Sequence, residues 1–270
     1  MEREARSSGE RADDYRRPSR PEEDVRREWE ARLKRNKLLA LIFVLVAIFG
    51  SIGWALYHAA GDINSSVASE LGPTTGDAPA QALGSFHLIN SRLSEGGKAE
   101  LLMISALGCD GCAAERWALI KALGRFGTFK QLASDANGSS VPAFDLLNAQ
   151  YSSYFVSFAN KEIRDVNGNA LQRLTVREHW IFKRYDPNGR LPFVVVGNYA
   201  MAGHGVSPDA LAGLKFRDVQ SALIANKHAL FSREINAEAN LITAFLCRAD
   251  GGQPSVFCGR APIRRIAARL

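Results

Sequence analysis

The sequence predicts an α/β domain joined to a single N-terminal membrane-spanning helix, and three observations predict it. The first is an uncharged apolar run at residues 38–57. The second is the alternation, beyond residue 85, of short apolar runs with longer segments of helical character. The third is the pair Cys109 and Cys112, spaced C-x-x-C directly after one of the apolar runs. Together they indicate a tethered globular domain whose chemistry lies with its thiols.

Residues 1–37 form a charged tail. They contain 12 Lys/Arg and 10 Asp/Glu with almost no aliphatic side chains, so they cannot bury enough apolar surface to offset the entropy lost on ordering. This segment carries much of the charge of a chain whose formal net charge is +6, and a solvated tail explains its basic residues better than a nucleic-acid-binding arm does. We predict a tail that is disordered or forms a loose charged helix, and no nucleic-acid partner.

The apolar run at 38–57 has 20 residues without a charge, about the length at which a helix crosses the hydrocarbon core of a bilayer. It exceeds the roughly 7–15 apolar residues of a cleavable signal peptide, so an uncleaved signal anchor fits better. Four basic residues crowd positions 32–37, whereas the first basic residue after the run is Arg92. The positive-inside rule then predicts a single-pass protein of the cell membrane, with its N-terminus in the cytoplasm.

The remainder of the chain is predicted to lie outside the cytoplasm. Residues 58–84 are rich in Ser, Gly, Pro, Thr and Ala and have the composition of a flexible linker. Residues 85–270 are predicted to form the extracytoplasmic domain, which holds all four cysteines of the chain. Disulfides persist in such a compartment, so the predicted topology bears directly on the chemistry of these cysteines.

Several segments of the domain have clear secondary-structure signals. A buried strand is predicted at 99–106, a second strand at 153–158 and a central strand at 193–196, with a strand at 199–201 pairing back on the central one. Helices are predicted at 112–126, at 234–247 and in the stretch 208–225. Residues 165–169 have the composition of a turn, and the basic run at 260–265 reads as a solvated tail that touches lipid headgroups.

A strand that ends, a C-x-x-C pair and a helix that begins form the local arrangement of a thioredoxin-like redox site. The N-terminus of a helix carries partial positive charge and free N–H groups, which stabilise a thiolate. Cys109 is therefore predicted to be the exposed nucleophile, with Cys112 one turn further along as the resolving thiol. Trp117 is predicted to be a core residue behind the site.

The C-x-x-C pair and Pro192 together resemble thioredoxin-like folds, in which a cis proline begins the strand beside the C-x-x-C helix. That resemblance implies that Pro192 is cis and packs against Cys109, and that Leu191 and Pro192 bind the backbone of the substrate. The alternative is an ordinary trans proline at the start of a strand, which is a common arrangement.

The chain more closely resembles a family of membrane-anchored prokaryotic proteins catalogued as a domain of unknown function with a thioredoxin-like fold. The stretches that carry this resemblance are residues 108–129, 151–158, 191–201 and 238–258. The resemblance implies a thioredoxin-like α/β fold with an insertion and a thiol-disulfide site at Cys109 and Cys112, and it supplies no substrate.

The chain departs from that family between the two cysteines. The family usually has an aromatic or proline-containing pair there, whereas this chain has Asp110-Gly111. A carboxylate beside the thiolate raises the thiol pKa by like-charge repulsion, yet at a helix start it also stabilises the helix. We expect a weaker oxidant than a site that lacks the acid.

Glu115 follows Cys112 at i+3 and is a candidate proton relay, because the resolving thiol must lose its proton before it attacks. The favoured alternative is an ion pair formed within the helix or with a neighbouring element by Glu115 or Arg116.

Cys247 and Cys258 frame a turn-rich loop and are predicted to form a structural disulfide, which contributes about 3 kcal/mol in the chain-entropy model. Two weaker alternatives are a second redox pair that exchanges with Cys109 and a four-thiolate zinc site, for which the spacing of this pair is wide. His204, after the predicted strand pair, is a candidate neighbour of the site. No metal or cofactor is predicted.

Three functions fit these residues. The predicted one is a membrane-anchored thiol-disulfide oxidoreductase that acts on extracytoplasmic protein thiols or disulfides and is recycled by a membrane redox partner. The second is a binding or assembly module of the same fold, whose cysteine pairs are structural only. The third and weakest is a metal-handling domain that uses Cys109 and Cys112 as soft ligands.

Overall fold

The computed structural model describes residues 85–134, 138–225 and 228–270, with short pieces at 26–27, 29–30, 36–37, 39 and 62–63. Most of the predicted tail and linker, and all but one residue of the predicted anchor at 38–57, thus lie outside the described residues. Within the described part of the chain, no helix is long and apolar enough to cross a membrane. The chain divides into two compact units, residues 1–57 and 58–270, and the fold below is that of the second unit.

The second unit is a mixed α/β structure. Its elements in chain order are β1 (Asp62–Ile63), β2 (His87–Leu88), β3 (Ser94–Glu95), β4 (Lys98–Ser105), α1 (Asp110–Leu123), β5 (Gly127–Lys130), β6 (Leu132–Ser134), β7 (Phe144–Asp145), β8 (Gln150–Ser153), β9 (Val156–Glu162), α2 (Val176–Tyr185), β10 (Phe193–Val196), β11 (Tyr199–Ala202), α3 (Phe216–Ile224), α4 (Leu230–Ala249), α5 (Ser255–Cys258) and α6 (Ala261–Ala267).

The main sheet is built around β4. This strand pairs in parallel with β9 and antiparallel with β10, and the sheet continues from β10 through β11 to β2. The short strand β3 pairs with the start of β4. Two small antiparallel sheets, β5–β8 and β1–β6–β7, lie outside the main sheet. The end of β4 therefore has a strand on each side, and the site follows that end.

Helices cover both faces of the main sheet. Side chains alternate between the faces of a strand, so Leu101 and Met103 of β4 pack into the cluster formed with α1 and α4. Leu102 and Ile104 of the same strand pack into the cluster that holds Ile181 of α2. Burial on both faces explains why β4 reads as a continuous apolar run.

The predicted strands of the main sheet are largely confirmed. The strand predicted at 99–106 is β4, the one at 193–196 is β10, and the residues predicted to pair back form β11. The strand predicted at 153–158 is instead divided into β8 and β9. Ser153 explains the break, because its Oγ accepts the N–H groups of Phe155 (3.0 Å) and Val156 (3.2 Å) and forms a local turn.

Three predictions about helices need correction. The helix predicted across 208–225 is wrong over its first half: only α3 is helical, and Gly213, at φ +74°, lies in the turn before it. The basic run at 260–265 is not a solvated tail, because it enters α6, whose Ile263 and Ile266 are buried. The helix predicted at 112–126 ends at Leu123, with Gly124 as its C-cap.

Helix α2 has no counterpart among the predicted elements. Thr175 and Glu178 form a capping box at its start, where each side chain bonds the other's backbone N–H. Only three residues of the helix are buried, Glu178, Ile181 and Phe182, so its apolar periodicity is short. Contact with the sheet, rather than helical propensity alone, stabilises this helix.

The packing of α2 predicts a contrast between two substitutions. Ile181→Ala should lower the free energy of unfolding by about 2–5 kcal/mol, because Ile181 is completely buried against the sheet. Val176→Ala is the matched control on the same helix: Val176 is 90% exposed, so the expected change is within about 0.5 kcal/mol. Denaturant titration measures both, and equal effects would contradict the assigned packing of α2.

Candidate redox site

The two cysteines of the C-x-x-C pair lie at the junction between β4 and α1. Cys109 is the N-cap of α1, and its Sγ accepts the backbone N–H of Cys112 at 3.1 Å. The pair is at disulfide distance, with 5.2 Å between the Cα atoms. Cys109 is partly exposed whereas Cys112 is fully buried, so only Cys109 is open to another molecule. The Cys109 sulfur is therefore both accessible to another molecule and placed at a helix N-terminus, which stabilises a thiolate.

Backbone hydrogen bonds fix the loop that leads into α1. The N–H of Leu107 donates to the carbonyl of Arg164 at 3.0 Å, and the N–H of Ile163 donates to Ser105 at 2.8 Å. Gly108 turns the chain at φ +74°, a conformation that favours glycine. The segment after β9 is thereby held against the segment after β4, directly beside Cys109.

Pro192 lies directly before strand β10, as predicted. The Leu191–Pro192 peptide bond is cis, as predicted, and the next residue, Phe193, is the register partner of Ile104 near the end of β4. The carbonyl of Pro192 accepts the N–H of Gly203 at 2.8 Å. Leu191 and Cys109 line one cavity, so one of the two predicted substrate-contacting positions lies beside the predicted nucleophile, whereas Pro192 is not among the residues that line it.

That cavity is an open groove of about 340 Å³. Its walls include Leu107, Cys109, Arg164, Asp165, Val166 and Leu191. The wall around Val166 is the turn predicted at 165–169, in which Asp165 Oδ1 accepts the N–H groups of Asn167 and Asn169. The side-chain amide of Asn169 adds a further bond, and these bonds lower the pKa of Asp165. The groove thus combines apolar residues with one basic and one acidic residue, Arg164 and Asp165.

The carboxylate between the cysteines is tied to a neighbouring loop. Asp110 Oδ1 accepts bonds from Ser139 Oγ (2.6 Å) and from the Ser140 N–H (2.9 Å), and Oδ2 accepts one from Ser140 Oγ (2.8 Å). These bonds, that of Ser139 foremost, hold the pKa of Asp110 below its usual range. Asp110 thus fastens residues 138–140 beside the C-x-x-C turn, a contact that the sequence alone did not predict.

His204 covers the second residue between the cysteines. A Cβ built on Gly111 would lie 2.7 Å from His204 Cδ2, so the imidazole occupies the space that a larger residue would need. His204 is itself exposed. The prediction that this histidine lies near the site is confirmed.

Among the described residues, Glu115 forms no ion pair, contrary to the alternative that the sequence favoured. It is fully buried on α1, and its Oε2 accepts the Gly205 N–H at 2.9 Å. Burial raises its pKa to about 7, against the opposing effect of backbone N–H groups from Gly205 and Val206. The ion pair belongs to Arg116, which bonds Glu162 at 2.8 Å and the Phe144 carbonyl at 3.3 Å.

A second buried carboxyl lies close to Glu115 and was missed by the sequence prediction. Glu238 of α4 is 1% exposed, and burial together with the charge of Glu115 raises its pKa well above the ordinary value. A signal for it was present: Glu238 falls at i+3 from Ile235 and four residues before Ile242, on the apolar face of its helix. A charged residue on the apolar face of a helix is the sequence pattern that identifies Glu238 as a candidate buried carboxyl.

Trp117 is fully buried behind the site, as predicted. Its Nε1 donates to the Pro142 carbonyl at 2.7 Å, and its ring lies edge-on to Phe144. The bond to Pro142 helps to hold the chain that follows the 138–140 loop against α1.

The cysteines near the C-terminus form a second pair. Cys247 and Cys258 are at disulfide distance, with 5.6 Å between the Cα atoms, and both are buried. Cys247 lies nine residues beyond Glu238 on α4, which places it roughly 13 Å further along the helix. The pair connects α4 with α5, which agrees with a structural role.

The comparisons with known proteins give one finding. A family model described as "Domain of unknown function (DUF929)" matches residues 85–189. The matched range contains the C-x-x-C helix, the 138–140 loop and the turn at 165–169, and it ends before Leu191. The chain has no match among curated proteins or solved structures.

The Asp110 contacts predict how the 138–140 loop responds to pH and to mutation. Because its folded pKa is lowered, Asp110 stabilises the loop above the unfolded pKa of about 3.9, and this stabilisation is lost as the pH falls through the folded value. Asp110→Asn should raise amide exchange at Ser140 by about tenfold, since hydrogen bonds to charged groups exceed neutral ones.

Hydrogen exchange followed by mass spectrometry measures this effect. Asp209→Asn, at an exposed aspartate outside the site, is the control and should leave exchange of the loop unchanged. Equal exchange of Ser140 in Asp110→Asn and in the unsubstituted protein would contradict the assigned role of Asp110.

Proposed function

We propose that this protein is a thiol-disulfide oxidoreductase with a thioredoxin-like fold, acting on extracytoplasmic protein thiols or disulfides through Cys109 and Cys112. The observation that carries the proposal is the position of Cys109: a partly exposed N-cap of a buried helix, whose sulfur accepts the N–H of Cys112. The position of Pro192 directly before β10, the strand that pairs with β4, supports the thioredoxin-like assignment.

The proposed chemistry is an exchange of disulfide bonds. The Cys109 thiolate attacks one sulfur of a substrate disulfide, a new bond forms between them, and the other substrate sulfur leaves as a thiolate. Cys112 then loses its proton and attacks Cys109 Sγ, which re-forms the Cys109–Cys112 disulfide and releases the second substrate sulfur. The substrate gains two electrons and the pair loses two. Run backwards, the same steps oxidise a substrate dithiol.

The groove beside Cys109 supports a role in binding polypeptide. Leu191, immediately before the cis proline, lines the groove together with Leu107 and Val166. The Pro192 carbonyl is already bonded to Gly203, so we assign the contact with the substrate backbone chiefly to Leu191. The apolar surface near the sulfur suits a substrate cysteine flanked by apolar residues.

We place this activity outside the cytoplasm, on a domain tethered to the cell membrane. The proposal rests on the uncharged run at 38–57 and on the basic residues that precede it. Two cysteine pairs at disulfide distance agree with an oxidising compartment. A membrane redox partner of unassigned identity would return the Cys109–Cys112 pair to its starting state after each turnover.

The test is to trap the mixed disulfide in cells. Cys112→Ala removes the resolving thiol, so substrates should accumulate on Cys109 as higher-mass species that disappear on reduction. Cys109→Ala is the matched control, because it removes the nucleophile and should trap nothing. The trapped proteins should be extracytoplasmic, and cytoplasmic ones would contradict the proposed location.

The binding-module alternative predicts a different result from the same proteins. If both cysteine pairs are structural only, Cys112→Ala yields no mixed disulfides, and the Cys109–Cys112 pair stays oxidised below about −300 mV, as structural disulfides do. That combined outcome would rule out the oxidoreductase.

A further inference from the structure

The outward side of α2 combines apolar and basic side chains. The buried residues Glu178, Ile181 and Phe182 define the side of the helix that faces the core. Val176 and Trp180 lie on the opposite side, one turn apart, and are 90% and 54% exposed. The helix therefore presents a valine and a tryptophan to its surroundings.

Basic side chains lie around these two residues. Lys183 is on the same side of the helix, one turn after Trp180, and Arg177 and Arg184 lie along the edge of that side. All three cations are exposed. The one acid within the helix, Glu178, is buried. The exposed surface, called the α2 face, comprises Val176, Arg177, Trp180, Lys183 and Arg184.

A cavity of about 280 Å³ adjoins the C-terminal end of α2, and its walls include Ser85, Leu88, Tyr185 and Arg190. The ring of Tyr185 lies edge-on to that of Trp180, with 6.3 Å between the ring centroids. Leu88 is 65% exposed, and Arg190 is exposed as well. The apolar and basic character of the α2 face thus continues into the wall of the cavity.

The chain enters the domain beside the α2 face. The predicted linker ends at residue 84, and Ser85 lines the same cavity as Tyr185. The segment that follows contacts the helix: the N–H of Asn90 donates to Tyr185 Oη at 3.0 Å. The guanidinium of Arg177 donates to the carbonyl of Arg92. A domain tethered through Ser85 therefore has the α2 face next to its point of attachment.

These features favour a lipid surface as the partner of the α2 face. Tryptophan is enriched at the interface of a bilayer, where its ring meets both apolar chains and polar headgroups. Lysine and arginine are attracted to anionic headgroups. Cations together with exposed apolar side chains on one helix are typical of a helix that lies in the interface. A purely electrostatic partner would explain Lys183 and Arg184, but not the exposure of Val176 and Trp180.

The basic run at 260–265, where the sequence predicts contact with lipid headgroups, fits this partner less well. Arg264 and Arg265 are exposed on α6, but this helix contains no aromatic residue. Its buried residues belong to the cluster on the opposite face of the main sheet from α2. α6 therefore offers a matched comparison for α2.

We propose that the α2 face docks on anionic phospholipid, with Val176 and Trp180 at the interface and Lys183 and Arg184 against the phosphates. The proposal goes beyond the proposed function and rests on its membrane placement. Docking holds the domain at the bilayer surface, where a membrane redox partner would meet it.

The test uses the full-length protein in lipid nanodiscs, which leave both surfaces of the bilayer accessible. One set of discs contains phosphatidylcholine, and the other contains phosphatidylcholine mixed with phosphatidylglycerol. Each includes a trace of a phospholipid with a photoreactive headgroup, and mass spectrometry locates the labelled peptides. In the anionic discs, labelling of residues 173–190 should exceed that of residues 255–270 by about tenfold, and it should fall in the neutral discs.

Two double variants test the contribution of charge. Lys183→Gln with Arg184→Gln should lower the ratio of docked to undocked domain by about 30-fold, because each basic residue near an anionic surface contributes about fivefold. Arg264→Gln with Arg265→Gln removes two exposed cations from the other side of the domain and should leave labelling of α2 unchanged.

Two single variants test the apolar contact. Val176→Gln should lower the ratio of docked to undocked domain by about tenfold, because a valine side chain is withdrawn from the interface. Val256→Gln is the control: Val256 is 60% exposed on α5, and its replacement should have no effect on labelling of α2.

The outcomes separate this proposal from the proposed function. Equal labelling of the two peptides, or labelling of α2 that persists in Lys183→Gln with Arg184→Gln, overturns the docking. Protein that does not enter the discs overturns the membrane placement and the docking with it. Formation of a mixed disulfide by Cys112→Ala with a disulfide peptide in detergent needs no lipid, so its absence overturns the oxidoreductase instead.

Discussion

The hydrogen bond from the Cys112 N–H to Cys109 Sγ is the contact on which the site depends, because it aligns one sulfur with the N-terminus of a helix. Strand β4 ends at Ser105, shortly before this turn. Helix α4 packs along α1 on the face away from the solvent. Both atoms belong to the first turn of α1, so the packing of α1 fixes where this turn lies in the domain. The core of the domain therefore positions the turn that holds the Cys112 N–H and Cys109 Sγ.

Acidic side chains of two kinds lie around that contact, one exposed to solvent and the others buried. Asp110 is satisfied by serine donors at the surface, so its charge persists and is directed to the 138–140 loop. We expected it to oppose the thiolate, but its carboxylate is already bonded to two serines. Glu115 and Glu238 are buried, and three of their four carboxyl oxygens have no hydrogen-bond partner among the described residues, which favours their protonated forms. The carboxylate of Asp110 thus lies at the surface beside Cys109, whereas the carboxyls of Glu115 and Glu238 are buried.

Local patterns predicted the centre of this domain well. β4 and β10 are buried on both faces, so their apolar runs are unambiguous, and the C-x-x-C pair and Pro192 mark the ends of these strands. Helix α2 was missed because few of its side chains face the sheet, although its capping box was visible in the sequence. The contact of Asp110 with Ser140, 30 residues away, and that of Glu115 with Gly205, 90 residues away, arise only on folding. A single sequence carries no local signal for such pairs.

The most direct test of the central claim is the pH titration of the Cys109 thiol in the reduced protein, followed by the ultraviolet absorbance of the thiolate. If the helix N-terminus and the Cys112 N–H stabilise the thiolate, Cys109 should ionise below the ordinary cysteine value of about 8.5. Cys109→Ser should remove that titration, whereas Cys112→Ser should retain it. A Cys109 thiol that ionises at or above the ordinary value would contradict the account.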